Sequence, residues 1–317
     1  MNFFKKCFVC YEDIEENKFY HSKCGKNLFG TENLQYLEIK MDDIEKLAKE
    51  NINKRLTIPG VQKKLSLDIK SIISSKAQRI TFVGALGGTH ILKPPTEEYP
   101  DMPEIENLTM NLAKICNIKT AEHGLIQMAD GTIAYITKRF DRIGKLKVAV
   151  EDLCQLSEML TEQKYKSSSE KVGKIIAKYA TYPGNDLLNY FELLIFSFLT
   201  GNSDMHLKNF SLLTNDKGII SLSPAYDLLS TRLLINESDD PEELALAING
   251  KKNKIELKDF LALGKNLNIP DNVVRKSIAR FTKNIVPITE CIGKSILKDH
   301  LKKDFKKLIE DRLGRIV

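Results

Sequence analysis

Ten residues, Gly201-Asn202-Ser203-Asp204-Met205-His206-Leu207-Lys208-Asn209-Phe210, interrupt a passage of the chain that is otherwise apolar. Phe191 to Leu199 precedes them, and Phe210 to Leu213 follows, ahead of Ser223-Pro224-Ala225-Tyr226-Asp227. The run before the loop reads as a buried helix. Asp204 and Asn209 stand five places apart, with His206 and Lys208 between them. A carboxylate, an amide and a second carboxylate, Asp227, at such offsets suit phosphoryl transfer. Asp204 would accept a proton from a hydroxyl nucleophile, while Asn209 and Asp227 would hold a divalent metal against phosphate oxygens. Taken alone, the spacing serves a helix-ending turn equally well, because Asp and Asn satisfy turn backbones.

A chain of 317 residues is long enough for two domains or lobes with a real core. The net charge of +6 is too dilute to argue for nucleic acid. No run of about 18 apolar residues exists to span a bilayer. The start, Met1 to Lys6, lacks a long apolar run ending in a small-residue cleavage site, so a cytoplasmic location is expected. Three of the six cysteines cluster at the front and three are scattered, which is not an extracellular disulfide framework.

The front cluster pairs Cys7-x-x-Cys10 with His21-x-x-Cys24. Two such knuckles bring four ligands to a tetrahedron that suits zinc, and a segment this short needs metal to fold. Ordinary reduced cysteines are the alternative. Residues 1–50 are therefore read as a short segment of their own, 51–142 as a β-rich lobe and 143–317 as a helical one.

Asp42 to Asn53 reads as a short helix. Ile58 and Val61 flank Pro59-Gly60, and Leu65 and Leu67 then alternate with polar residues, which predicts strand, tight turn, strand. Gly60 permits close backbone approach to a phosphate, though a plain hairpin explains it too. Strands are expected at Ile80 to Val83, Thr89 to Lys93 and Ile133 to Thr137, with an amphipathic helix from Glu104 to Asn117. Lys93 ends its strand, where it can reach phosphates or solvent. Glu106 lies in the helix's first turn, where a carboxylate also suits the dipole. After the polar stretch Lys138-Arg139-Phe140-Asp141-Arg142, helices are expected at Glu151 to Leu160, Ser167 to Tyr179, Asn185 to Thr200 and in the tail from Leu257. The tail's lysines, Lys298, Lys302, Lys303, Lys306 and Lys307, read as a solvated face, with an acidic partner or nucleic acid as the lesser reading.

A Gly-containing turn, a strand lysine, a helix glutamate, a polar linker, helices, Asp-x4-Asn and a last Asp follow the order of parts in a two-lobed kinase. The chain resembles the HipA-like serine/threonine kinases, toxin components of bacterial toxin–antitoxin modules. The resemblance runs through Thr57 to Ser66, Thr89 to Lys93, Glu104 to Asn107, Lys138 to Arg142, Glu151 to Gln155, Asp204 to Phe210 and Pro224 to Asp227. It implies an α+β, two-lobed protein-kinase-like fold that uses ATP and Mg²⁺. Asp204 is then the base, with His206 and Lys208 adding charge near the γ-phosphate, and Asn209 and Asp227 bind Mg²⁺. Backbone around Ile58, Pro59, Gly60, Val61 and Gln62 covers the phosphates, which Lys93 contacts while pairing with Glu106. Lys138, Arg139 and Phe140 form the hinge that meets adenine.

The resemblance further implies a protein substrate, typically an aminoacyl-tRNA synthetase, and self-phosphorylation at Thr57 or, less favoured, Ser66. Only about fifty residues precede the Gly-containing turn, where some members carry a sizeable domain. That start looks like the HipT type of three-component systems, whose partners are a small antitoxin resembling the missing domain and a DNA-binding antitoxin. No direct nucleic-acid or membrane binding is expected. The rival readings are a kinase-fold binding protein without turnover and a zinc-dependent nucleic-acid binder.

Overall fold

The computed structural model describes residues 5–32, 37, 40–44, 64–70, 79–82, 88–143 and 146–317. They form two compact units: one of the described residues up to 108 with 121–143 and 294–297, the other of 109–120, 146–293 and 298–317.

The first unit is built on an antiparallel sheet in which β1 (Leu65–Lys70), β2 (Arg79–Phe82), β3 (His90–Lys93), β4 (His123–Gln127) and β5 (Ile133–Lys138) lie in the order β2-β1-β3-β5-β4. Leu92 pairs with Leu65 on one side and Ile136 on the other, and all three are buried. The strand β4 lay outside the sequence reading, because His123-Gly124 and Gln127 break the β-branched pattern that marks strands. Residues 5–30 belong to this unit and include helix α1 (Ser22–Phe29), which ends at Gly30 with φ 75°. Phe8, Phe19, Tyr20 and Phe29 pack edge-on in a cluster that reaches His90 of β3. Leu125 N–H donates to Phe8 O and Tyr20 Oη–H to Leu125 O, so the front segment is stitched to β4. Gly124 permits this approach, since a Cβ there would lie 2.8 Å from Leu28 and 2.9 Å from Val9. Helix α2 (Met102–Ile115), of which the residues up to Leu108 belong to this unit, buries Ile105, Leu108, Leu112 and Ala113 at helical spacing. Of the helix expected from Asp42, residues 41–44 are helical and the rest lie outside the described residues.

Two short strands, β6 (Arg142–Ile143) and β7 (Leu146–Lys147), precede the second unit's sheet. That sheet joins β8 (Ala149–Asp152), β9 (Ser211–Thr214) and β10 (Ile220–Leu222) in the order β10-β9-β8. Here the expectation of a helix from Glu151 to Leu160 is corrected. Residues 149–152 pair with 211–214, and only α3 (Leu153–Leu156) is helical, closed by a capping box between Asp152 and Gln155. Helices α4 (Ser169–Tyr179) and α5 (Pro183–Leu199) match the reading within two residues. The tail forms α6 (Leu257–Asn266), α7 (Asp271–Lys283), α8 (Ile285–Lys294) and α9 (Asp299–Gly314). In α9, Phe305, Ile309 and Arg312 turn inward while Lys303 and Lys307 stay exposed. No helix of the described residues is long and apolar enough to cross a membrane.

The centre of this unit is α5. Pro183 starts it, where the missing N–H costs nothing. Asp186 in its first turn accepts Leu222 N–H at 2.9 Å, tying the helix to β10. Nearly every side chain from Tyr190 to Leu199 is buried. The helix stops at Gly201, whose φ of 70° is left-handed and whose Cβ, if present, would lie 2.7 Å from Leu308 and 2.8 Å from Arg232. Gly201→Ala is expected to lower stability by at least about 1–2 kcal/mol from backbone strain. Equilibrium urea unfolding checks this as a lower midpoint at unchanged slope.

Candidate active site

In the second unit, the loop that follows α5 is held from both ends. Gly201 O accepts Thr231 Oγ1–H at 3.0 Å and Arg232 N–H at 3.0 Å. Ser203 N–H donates to Thr231 Oγ1 at 2.9 Å, and Asp204 N–H to Asn202 Oδ1 at 3.2 Å. These bonds leave the Asp204 side chain half exposed, while the backbone behind it is fixed.

Asp204 and Asn209 are brought together. Asn209 Nδ2 donates to Asp204 O at 2.8 Å, which turns the amide so that its oxygen is the end left for a ligand. His206 N–H donates to the same carbonyl at 2.8 Å, and Asn209 N–H to His206 O at 2.9 Å. One carbonyl thus organises both functional side chains. His206 Nε2 lies 3.9 Å from Asp204 Oδ1. Burial pulls the His206 pKa below its ordinary value, against the opposing pull of the Asp204 and Asp227 carboxylates. Asp227 is therefore near enough to act on the same imidazole. Among the described residues, His206 Nδ1 is buried without a hydrogen-bond partner. Such an orphan is costly in a finished core and fits a place where a polar group is still to be received.

Asp227 itself has φ 59°, left-handed for a residue with a Cβ. Strain of this kind gathers at functional sites, and Asp tolerates it better than most residues. Tyr226 beside it is anchored, its hydroxyl 2.8 Å from Lys208 O and 2.6 Å from Ser211 Oγ. Lys208 points the other way, 3.9 Å from Asp152 Oδ2 and 3.5 Å from Thr161 Oγ1. Its backbone, rather than its ammonium, touches the residue preceding Asp227.

Tyr165 was not legible as a site residue. Its hydroxyl donates to Asp204 Oδ1, and its ring stands edge-on to His206 with centroids 5.0 Å apart. Burial first, and then the Asp204 carboxylate, push its pKa up, so it remains a donor. Only a tyrosine in a charged stretch, Lys164-Tyr165-Lys166, marks it in the sequence.

In the first unit, Lys93 and Glu106 are paired at 2.5 Å and almost completely buried. The ammonium also lies over the Tyr135 ring, 5.3 Å from its centre. Lys93 therefore does not end its strand in solvent, and Glu106 is more than a dipole partner on the helix surface. Arg139 forks onto Asp141 at 2.8 and 2.9 Å. The backbone N–H of Lys138 is committed to Glu122 O at 2.8 Å, so that donor is not one an adenine can use. Ser66 is buried, with its hydroxyl accepting Gly88 N–H at 3.1 Å. Thr57 and the turn Ile58, Pro59, Gly60, Val61 and Gln62 lie outside the described residues.

Residues 56–288 match the family model described as the HipA-like C-terminal domain. The chain belongs to this family. It is 30% identical over 257 residues to the Sinorhizobium fredii protein Y4dM, covering 76% of this chain and 62% of that one. It is 27% identical over 254 residues to the serine/threonine-protein kinase toxin HipA of Shewanella oneidensis, covering 73% and 56%. The chain thus spans roughly three fifths of the length of these HipA-like relatives. A solved Shewanella oneidensis HipA, in complex with HipB and its operator DNA, matches the fold with TM-score 0.68 at 23% identity, over 88% of this chain and 71% of that one. The Helicobacter pylori proinflammatory kinase CtkA matches with TM-score 0.53 at 16% identity, over 72% and 87%. The fold is that of these kinases.

Lys93→Met is expected to destabilise the protein by about 3–5 kcal/mol, because it strips the ammonium from a buried carboxylate. Adding Glu106→Leu should recover part of that loss. Urea unfolding of the four proteins, read as a double-mutant cycle, checks the non-additivity.

Proposed function

We propose that this HipA-like chain is an ATP-dependent serine/threonine protein kinase acting as the toxin of a toxin–antitoxin module. The observation that carries the reading is the Asp204 carboxylate, presented on a rigid loop and already hydrogen-bonded to a hydroxyl, that of Tyr165. A hydroxyl donor at that oxygen is what a general base for an attacking serine or threonine must accommodate. In the reaction, the acceptor oxygen forms a bond to the γ-phosphorus, the bond to the ADP oxygen breaks, and the acceptor's proton passes to Asp204. His206 stands beside Asp204, and burial, which lowers its pKa, works against the charge that the resemblance assigns to it near the γ-phosphate.

The Asn209 amide oxygen and the Asp227 carboxylate are hard oxygen donors of the kind Mg²⁺ takes, and they would hold it. The ion when bound would neutralise charge on the phosphate oxygens. Lys93, kept extended by Glu106, would contact the nucleotide's phosphates. Backbone from Ile58 to Gln62 would cover them.

The finer assignments rest on family likeness. The substrate is proposed to be an aminoacyl-tRNA synthetase. A DNA-binding antitoxin is a proposed partner, in keeping with the HipB and operator DNA bound by the Shewanella HipA. In the HipT-type reading a small second antitoxin joins them. Thr57, rather than buried Ser66, is the proposed site of self-phosphorylation, where a dianion beside the phosphate-covering turn would repel ATP.

Asp204→Ala and Asp227→Ala should each abolish transfer of labelled phosphate from Mg-ATP to lysate protein while circular dichroism stays unchanged. Undiminished transfer by Asp204→Ala would remove the base assignment. Tyr165→Phe, which frees the carboxylate, should retain transfer. Peptide mass spectrometry after incubation with Mg-ATP should find phosphate on residues 55–66 at Thr57.

A further inference from the structure

We propose that Cys7, Cys10, His21 and Cys24 bind one zinc ion, and that this ion holds the front knuckle against the helix that carries Glu106. The four ligand atoms lie within 4.8 Å of one another. His21 Nδ1 is 3.4 Å from Cys10 Sγ and 4.0 Å from Cys24 Sγ. A zinc tetrahedron with bonds of about 2.3 Å to sulfur and about 2.0 Å to nitrogen has edges of roughly 3.5–3.8 Å. The cluster is already near those dimensions.

The histidine is set for the task. Its Nε2 lies 2.9 Å from Asp13 O, and a carbonyl only accepts, so Nε2 carries the proton. Nδ1, the nitrogen facing the sulfurs, then presents its lone pair. A ring nitrogen fixed through its opposite N–H by a backbone carbonyl is the usual support of a metal-bound histidine. Four protein ligands leave no open position for water, so the site is structural, and the three-thiolate set favours zinc over hard cations. Six free cysteines occur in the chain, so the cluster is not locked in a disulfide.

The knuckle's reach explains what the ion is for. The turn from Cys7 closes with Tyr11 N–H donating to Cys7 O at 2.9 Å, and Tyr11 is left-handed at φ 63°. This places the Tyr11 hydroxyl 2.7 Å from Asn107 Nδ2, and the same amide nitrogen reaches Phe8 O at 3.3 Å. Asn107 Oδ1 meets His123 Nδ1 at 2.8 Å, and Asn107 is fully buried. The neighbouring residue is Glu106, paired with Lys93. Two consecutive helix residues therefore couple the knuckle and the buried ion pair. Loss of the ion frees the turn that positions Tyr11 and Phe8, and with them the helix face at Asn107. None of this depends on the chain being a kinase.

The full-length chain, purified without chelator, should contain one equivalent of zinc by elemental analysis. Replacement by Co²⁺ should give the visible absorption of a tetrahedral thiolate centre. Cys10→Ser and Cys24→Ser should lose the metal, and His21→Cys should keep it. Hydrogen exchange, followed before and after chelation of wild-type protein, should become faster across Met102–Ile115 while Pro183–Leu199 is unchanged. Absence of zinc together with no cobalt spectrum would overturn the site, as would iron in its place. Unchanged exchange in Met102–Ile115 after zinc removal, or an equal rise in both helices, would overturn the coupling.

Discussion

One carbonyl oxygen, that of Asp204, sets the geometry on which the second unit's proposed chemistry depends. It receives Asn209 Nδ2 at 2.8 Å and His206 N–H at 2.8 Å, so the Asn209 amide and the backbone at His206 are tied to the same peptide. That is possible only because α5 stops where it does. A helix buried along nearly its whole length would continue into the core, but at Gly201 the backbone turns left-handed in a space too small for a Cβ. Thr231 and Arg232 then hold the reversed chain through Gly201 O. The polar loop is thus an enforced exit from an apolar helix, and the positioning that the proposed phosphoryl transfer needs would come from that enforcement.

The first unit solves a different problem, that of keeping a charge in a dry place. Lys93 and Glu106 are each about 5% exposed or less. Burying both ions costs several kcal/mol, which their mutual attraction offsets only in good geometry. The sheet supplies that geometry from below through β3, and α2 from above. A pair of this kind contributes little net stability but allows one arrangement of strand and helix, because any shift uncovers an unmatched charge. Its value lies in specificity of position rather than in strength.

Much of this was legible in the residues, and the reasons for the rest are physical. Helices α4, α5 and the tail carry long periodic runs, so their existence followed from spacing alone. Asp204, Asn209 and Asp227 stood out in the residues because chemistry restricts the types that the proposed base and metal site could use, and the structure brings Asp204 and Asn209 together. The three-stranded sheet was missed because β8 pairs with residues some sixty positions away, and its own four residues, Ala149-Val150-Glu151-Asp152, lack an apolar signature. The same long-range pairing shortened the helix expected from Glu151. Tyr165 could not be found, since its role comes from where its hydroxyl lands and not from its neighbours in the chain. Burial likewise decided Ser66, because a strand serine looks alike in sequence whether its hydroxyl faces water or Gly88.

The front segment is stitched to a strand that is synthesised much later. Tyr20 finds its partner in Leu125, 105 residues on, and Phe8 meets Asn107 at a separation of 99. On the ribosome these aromatic side chains emerge long before the surface that will cover them. All four groups of the Cys/His cluster, by contrast, are present by the twenty-fourth residue. If the cluster takes its proposed ion, the nascent chain would have a short-range way to shape its first turns, while the contacts that shelter them wait for the sheet.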